Sequence, residues 1–367
     1  MKIGIIGCGS ICKTYITEIH RLYPHLIEIE ALADLDLERA KSYADEFSVP
    51  FAVSVEELLA MPQVELVINL TVPLAHVEVS RKILESGKHL FSEKPFALSA
   101  EDAIGLKALA EKNGLYFGCA PDTFLMAPLA TCRSLLDEGA IGLPIAVSAN
   151  MISAGVESWH PAPQPFYRRG GGPLYDMGPY YLTALVYLFG SVEEVYAVGK
   201  KGFSERIHWQ SPQKEAFPVE VPTSYSAVLK MRSGVTVSLN MTFDVFHSNL
   251  PKMEIYGTEG TLIVPDPNMT SGEPRLFRKE QINERDFEEK PVALRKKVLS
   301  EYTRGSGVAE LILAIREGRK SRMSDLPVHV TDVIESLIRS AQEDAPQKIS
   351  TTCERPEIWD FENEAFQ

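Results

Sequence analysis

The chain has 367 residues, a hydrophobic content of 45% and a formal net charge of −13 at pH 7. That length suits two domains, since a single core seldom grows beyond about 250–300 residues. The acidic balance argues against nucleic acid and membrane surfaces as partners, and no apolar run approaches the ~20 residues of a membrane helix.

At the start of the chain, Ile3, Ile5 and Ile6 around Gly4 read as a short buried strand. Gly7-Cys8-Gly9 then turns the chain, and Ile11, Tyr15, Ile19 and Leu22 recur at helical spacing. Strand, glycine turn and helix together are the setting of a dinucleotide fingerprint. Gly7 permits the tight turn, and Gly9 lets a pyrophosphate approach the backbone. The first N–H groups of the helix, from Ser10 and Ile11 on, face that anion. Cys12 stands in place of a third glycine, small enough for helix and strand to pack closely. Asp34 ends the next apolar run, where a carboxylate would grip the ribose hydroxyls. The turn comes so early that no leader peptide is expected. The five cysteines are scattered without metal-ligand or disulfide spacing, so we expect no metal and a reducing cytoplasm.

A helix is expected to residue 47, a short apolar piece over 49–53, and a capping box at Ser54-Val55-Glu56-Glu57 opening the next helix. Residues 64–70 form a buried strand, 74–85 a helix, 89–92 a strand, 99–114 a helix and 115–119 a strand. This alternation predicts an α/β fold with a doubly wound parallel sheet over residues 1–122. The pattern then changes. Residues 224–231 and 235–245 alternate with a period of two, which marks an antiparallel sheet with one buried face. Residues 253–264 read as a hairpin, and 145–153 as a further strand between helices at 125–137 and 173–189. Residues 265–303 are charged and broken and read as surface loops. Two helices, 308–317 and 328–341, lead to a polar tail. The expected organisation is a Rossmann domain (1–122), an α+β domain with a large open, mostly antiparallel sheet (123–350), and a tail (351–367).

Ligands of doubly wound sheets lie outside the carboxyl ends of the strands. Three loops leave those ends with polar side chains: residues 69–73 followed by His76, Glu93-Lys94-Pro95, and residues 120–123. Pro95 disfavours the α region at Lys94, which holds the lysine extended at a strand tip.

Gly7-Cys8-Gly9, Glu93-Lys94-Pro95, Tyr256-Gly257-Thr258-Glu259-Gly260 and the stretch Gly171-Gly172-Pro173-Leu174-Tyr175-Asp176-Met177-Gly178 resemble the Gfo/Idh/MocA family. The resemblance runs from residue 1 to about 345. It implies an NAD(P)-dependent oxidoreductase of sugars or cyclitols, with a second domain whose sheet forms a homodimer or homotetramer. It also implies that Lys94 contacts the nicotinamide and the reacting hydroxyl, and that Asp176 orients the substrate. Where the family usually has histidine, four residues after that aspartate, this chain has Tyr180. Spacing i, i+4 would put Asp176 and Tyr180 on one helix face; the other reading of Tyr180 is a core tyrosine.

A phenol titrates near ~10 and a histidine near ~6.5, a difference of roughly 5 kcal/mol. A lysine ammonium at ~4 Å returns on the order of 4 kcal/mol at an effective dielectric of about 20. Two assignments therefore stand, Tyr180 as proton relay beside Lys94, or Lys94 as the acid/base with Tyr180 as hydrogen-bond donor. The expected cofactor contacts are Gly7, Gly9, Ser10, Ile11, Asp34, Thr71, Pro73, His76, Glu93 and Lys94. Expected substrate contacts are Asp122, His160, Tyr167 and Asp176. Asp34 would repel a 2′-phosphate, and no arginine directly follows it, so NAD is expected rather than NADP. A sugar oxidoreductase with tightly held NADP and a nucleotide-sensing regulator without turnover are the alternatives.

Overall fold

A computed structural model describes residues 1–283, 289–299 and 302–365. Their packing divides the chain into two compact units. Met1–Leu125, Tyr302–Thr331 and the residues from Pro356 on form one; Met126 to residue 299 and Asp332–Arg355 form the other.

The first unit begins with β1 (Lys2–Ile6), α1 (Ser10–Leu22), β2 (Glu28–Ala33), α2 (Leu37–Phe47) and β3 (Phe51–Val53). It continues through α3 (Val55–Ala60), β4 (Leu66–Asn69), α4 (His76–Glu85), β5 (His89–Ser92), α5 (Ala100–Lys112) and β6 (Phe117–Cys119). The strands pair in parallel in the order β3-β2-β1-β4-β5-β6. Every residue of β4 is buried, as expected of a parallel strand covered on both faces. Ile6, Val67, Leu90, Phe96, Leu106 and Phe117 belong to one apolar core. The expected capping box is present: Ser54 Oγ accepts the Glu57 N–H, and the Glu57 carboxylate accepts the Ser54 N–H. Strand order reverses between β1 and β4, the switch point where such sheets bind nucleotides.

The second unit contains α6 (Ala127–Asp137), β7 (Pro144–Ile152), α7 (Gly172–Asp176), α8 (Gly178–Phe189), β8 (Val192–Lys200), β9 (Glu205–Ile207) and β10 (Ala216–Pro218). It adds β11 (Ser224–Met231), β12 (Thr236–Thr242), β13 (Met253–Gly257), β14 (Gly260–Val264), β15 (Arg275–Arg278), β16 (Lys290–Pro291) and β17 (Gln347–Lys348). Apart from the separate β9–β10 hairpin, these strands form one nine-stranded sheet, β16-β15-β14-β13-β7-β12-β11-β8-β17. Pairing is antiparallel except between β7 and β12. In β12, Val237, Leu239 and Met241 are buried while Thr236 and Ser238 are exposed, the alternation read in the sequence. The remaining helices are α9 (Ser306–Glu317), α10 (Leu326–Glu343) and α11 (Phe361–Glu364).

Four expectations need correction. The stretch 265–303 is not only loop, because β15 and β16 extend the sheet edge; residues 284–288 and 300–301 of that stretch lie outside the described residues. The expected single helix over 173–189 is two helices that part at Met177, where Gly178-Pro179 starts a new N-terminus. The polar tail is anchored, with Trp359 and Phe361 fully buried in the first unit. Residues 302–331, expected in the second domain, also pack in the first unit. Among the described residues, no helix is long and apolar enough to cross a membrane.

Candidate functional site

The β1–α1 turn is shaped by backbone rather than by side chains. Gly7 has φ +103°, and a Cβ there would lie 2.7 Å from the Leu70 carbonyl carbon and oxygen. Its N–H donates to the Ala33 carbonyl at 2.8 Å, which ties the turn to the end of β2. Gly9 is the reverse case: its φ is an ordinary −76°, and an added Cβ would meet nothing within 4 Å. Gly9 is also the N-cap of α1, and no side chain caps the helix. An open glycine before an uncapped helix N-terminus fits a nucleotide pyrophosphate, which would occupy the space and accept from the first N–H groups. Ser10 is exposed and Ile11 half-buried beside it.

Asp34 closes this corner. Its Oδ2 accepts the Cys8 N–H at 2.6 Å and its Oδ1 accepts the Asp36 N–H at 2.9 Å. Each carboxylate oxygen retains a lone pair for a ribose hydroxyl. The Arg39 guanidinium lies 3.9 Å from Asp34 Oδ1 and 3.2 Å from Asp36 Oδ2. Arg39 lies five residues beyond Asp34 and is not signalled by the residues that directly follow the carboxylate; the first turn of α2 brings it back.

The loops after β4 and β5 are locked together. Buried Asn69 donates to the His76 carbonyl and Ser80 Oγ, each at 3.0 Å, and accepts from the Thr71 N–H and hydroxyl. The His76 ring is nearly fully buried and spans both loops, with Nδ1 2.7 Å from the Pro95 carbonyl oxygen and Nε2 2.8 Å from that of Thr71. Carbonyls only accept, so this pairing suits an imidazolium, which has two N–H groups. Burial opposes that charge and lowers the His76 pKa, while the two carbonyls pull the other way. His76 is thus a clamp between loops, with both ring nitrogens turned to backbone oxygens rather than outward to a cofactor. Thr71 and Pro73 are half-buried on the same rim, flanked by exposed Val72 and Leu74.

Glu93, expected as a cofactor contact, is buried and faces inward. Its Oε1 accepts the Tyr15 hydroxyl and its Oε2 accepts the Lys94 N–H, each at 2.9 Å. Lys94 is half-buried at the tip of β5. Asp122 corrects an expectation. It is 1% exposed, and its Oδ2 accepts the Gly307 N–H at 3.0 Å. Burial pushes its carboxyl up from the usual range, with Arg304 pulling it back. A short 3-10 turn directly after it (Thr123–Leu125) is buried as well.

In the second unit, Asp176 ends α7 and is half-buried, and Tyr180 lies in the first turn of α8, 6% exposed. The helix break at Met177 removes the shared-face argument from spacing. Neighbouring Tyr181 is fully buried and donates to the Asn150 carbonyl at 3.4 Å. His160 is half-buried, its ring 4.7 Å from that of Phe166 and 5.4 Å from that of Trp159, which is 63% exposed. Burial lowers the His160 pKa, and nearby Asp176 raises it while His208 lowers it. His208 was invisible in the sequence because the β9–β10 hairpin that carries it has no pattern of its own. Tyr167 is a second correction. It is fully buried, its hydroxyl donates to Glu157, and its ring packs against Phe217 and Phe243. Buried Arg206 pairs with Glu157 and Asp244 and lies over the Tyr167 ring, so Tyr167 is tied into a buried polar cluster. Among the described residues, no group of three or more His, Cys, Asp or Glu could hold a metal.

Comparison with known proteins accounts for both units. Residues 1–120 match the family described as oxidoreductase, NAD-binding Rossmann fold, and residues 129–263 match the GFO/IDH/MocA C-terminal domain. The uncharacterized oxidoreductase YrbE of Bacillus subtilis is 28% identical over 200 residues, so the match spans 53% of this chain and 56% of that protein. The trans-1,2-dihydrobenzene-1,2-diol dehydrogenase of Bos taurus is 27% identical over 270 residues, 73% of this chain and 75% of that one. The solved structure of a levoglucosan dehydrogenase in complex with NADH superposes with a TM-score of 0.80 at 20% identity, covering 96% of this chain and 99% of that chain. With a glycine turn open to a pyrophosphate and a lysine at the tip of the fifth parallel strand, the chain belongs to the Gfo/Idh/MocA family of NAD-binding oxidoreductases.

Proposed function

We propose that the protein is an NAD-dependent dehydrogenase moving a hydride between a carbinol carbon of a neutral sugar or cyclitol and nicotinamide. The observation that carries this reading is Lys94, held at the carboxyl end of β5 by hydrogen bonds on both sides, Glu93 to its amide and His76 to the next carbonyl. Gly7, Gly9, Ser10, Ile11 and Asp34 would hold the nucleotide. When bound, it supplies the hydride acceptor at the nicotinamide ring. Lys94 takes the proton of the reacting hydroxyl, Tyr180 is the second residue assigned to that proton, and Asp176 and His160 fix the substrate hydroxyls. Dihydrodiol and levoglucosan dehydrogenases, both acting on neutral hydroxylated rings by their names, support this substrate class.

Asp34 favours NAD. The Arg39 guanidinium beside it favours NADP as the second reading. The five cysteines are free and buried, which suits a cytoplasmic setting. Exposed Val228 lies opposite exposed Tyr196 on the large sheet, with Val198 next to them, an apolar face suited to joining two or four copies.

The test is reduction of NAD and, separately, NADP over aldopyranoses, inositols, levoglucosan and trans-dihydrobenzenediol, for wild type and Lys94→Ala. Turnover of a neutral substrate with NAD, lost at least a hundredfold in Lys94→Ala, is the expected result. Silence across the panel with NADH still bound would overturn the dehydrogenase in favour of a sensor. Turnover with NADP alone would overturn the reading of Asp34.

A further inference from the structure

Tyr15 has no part in the chemistry above, yet it reaches that chemistry through one carboxylate. It lies on the inner face of α1, fully buried, with its ring edge-on to Phe91 of β5. Its hydroxyl donates to Glu93 Oε1, and Glu93 Oε2 accepts the amide of Lys94. A carboxylate held by one donor on each oxygen has its plane fixed, and here the second donor is the backbone of the lysine itself. The Glu93 carbonyl is held as well, by the Ser92 hydroxyl at 3.0 Å and the Cys119 thiol at 3.4 Å.

We propose that Tyr15 is a positioning residue for Lys94, acting through Glu93, so that the helix which receives the pyrophosphate also sets the lysine at the nicotinamide end. The inference rests on the reading of Lys94 as the group that takes the proton. Without the phenol hydroxyl, Glu93 Oε1 loses its donor in a buried setting and the carboxylate plane is free to turn. The Lys94 amide turns with it. Misplacing a reacting group by a fraction of an ångström lowers the rate of the chemical step and leaves binding unchanged.

The experiment compares Tyr15→Phe, Glu93→Gln, the double variant and Lys94→Ala on the best neutral substrate of the panel. NADH affinity is read by fluorescence titration and folding by thermal melting. Tyr15→Phe is expected to lower kcat roughly tenfold, with KM, NADH affinity and melting temperature close to wild type. The double variant is expected to be no slower than the slower single one, because both act on one path. A kcat within twofold of wild type in Tyr15→Phe overturns the inference. So does a parallel fall of kcat, NADH affinity and melting temperature with additive effects, which would make Tyr15 a structural tie. An active Lys94→Ala, or a panel without turnover, removes the reading of the lysine and this inference with it, and the parallel Lys94→Ala assay separates that failure from the others.

Discussion

Gly7 and Gly9 sit two residues apart in one turn and should respond oppositely to the same added methyl group. Alanine at position 7 would hold φ near +103°, which costs about 1–3 kcal/mol in a residue other than glycine. Its Cβ would also press on backbone atoms of Leu70 and Thr71 at 2.7–2.8 Å, and backbone cannot step aside as a side chain can. Gly7→Ala should therefore destabilise the unliganded protein by more than ~3 kcal/mol. At position 9 the backbone is ordinary and the added methyl points into open space. Replacing an N-cap glycine by alanine costs up to about 1 kcal/mol, so Gly9→Ala should fold nearly as well as wild type. The methyl would instead occupy the space through which a pyrophosphate approaches. Overpacking a close contact costs ~1–3 kcal/mol, which corresponds to a loss of NADH affinity of roughly 5- to 150-fold. Urea unfolding without ligand and fluorescence titration with NADH measure the two effects separately. A folded Gly9→Ala protein that binds NADH as tightly as wild type would refute the placement of the pyrophosphate at this turn.

Asp122 gives a pH signature. Its folded-state pKa is raised by burial, so the native protein holds its proton more tightly than the unfolded chain does. Stability from this group is therefore lost as pH rises from the ordinary carboxylate value near ~3.9 through the raised one. The stability of wild type relative to Asp122→Asn should fall as pH rises above ~4 in urea titrations, and a constant difference would contradict it. Arg206→Ala leaves Glu157 and Asp244 without their cation in a buried setting, which should cost about 3–5 kcal/mol in the same assay. A loss below ~1 kcal/mol would mean that water reaches the pair. Trp159→Ala, by contrast, removes a largely exposed ring that lies against His160, a proposed substrate contact; melting should be unchanged while KM for the substrate rises several-fold, and an unchanged KM would show that this ring does not reach the substrate.

The parts of the molecule that were legible in sequence are those governed by local physics. Glycine turns, the Ser54 capping box and the burial of β4 and β12 follow from backbone freedom, orphan N–H groups and periodicity, all visible in a window of a few residues. β8 escaped because Glu193 and Glu194 sit side by side where its register shifts against β11, and adjacent charges erase the alternation. β15 escaped because Leu276 is the single buried residue of a four-residue strand with arginine at each end. At the site, the positions of Lys94 and Asp34 follow from strand ends. What Glu93, His76, Asp122 and Tyr167 do depends on partners many residues away: Tyr15, Pro95, Gly307 and Glu157. A residue type announces that it is polar; only the fold decides whether that polarity faces a ligand or another part of the same chain.

The chain returns to its first unit only after most of the second has been made, and this has a consequence for synthesis. Tyr23 waits for the hydroxyl of Ser306, Asp122 for the amide of Gly307, and His25 for the carbonyl of Ala365. Roughly 180 residues separate the end of β6 from the first of these partners, and at about 5–20 residues per second they take on the order of ten to forty seconds to translate. Throughout that interval the six-stranded sheet is present on the ribosome with part of its covering still unmade. Of these two units, the one that begins earlier in the chain is completed later. A truncation or stall near Trp359 would therefore strip buried residues from the first unit, more than three hundred positions from where that unit begins, before it touched the large sheet.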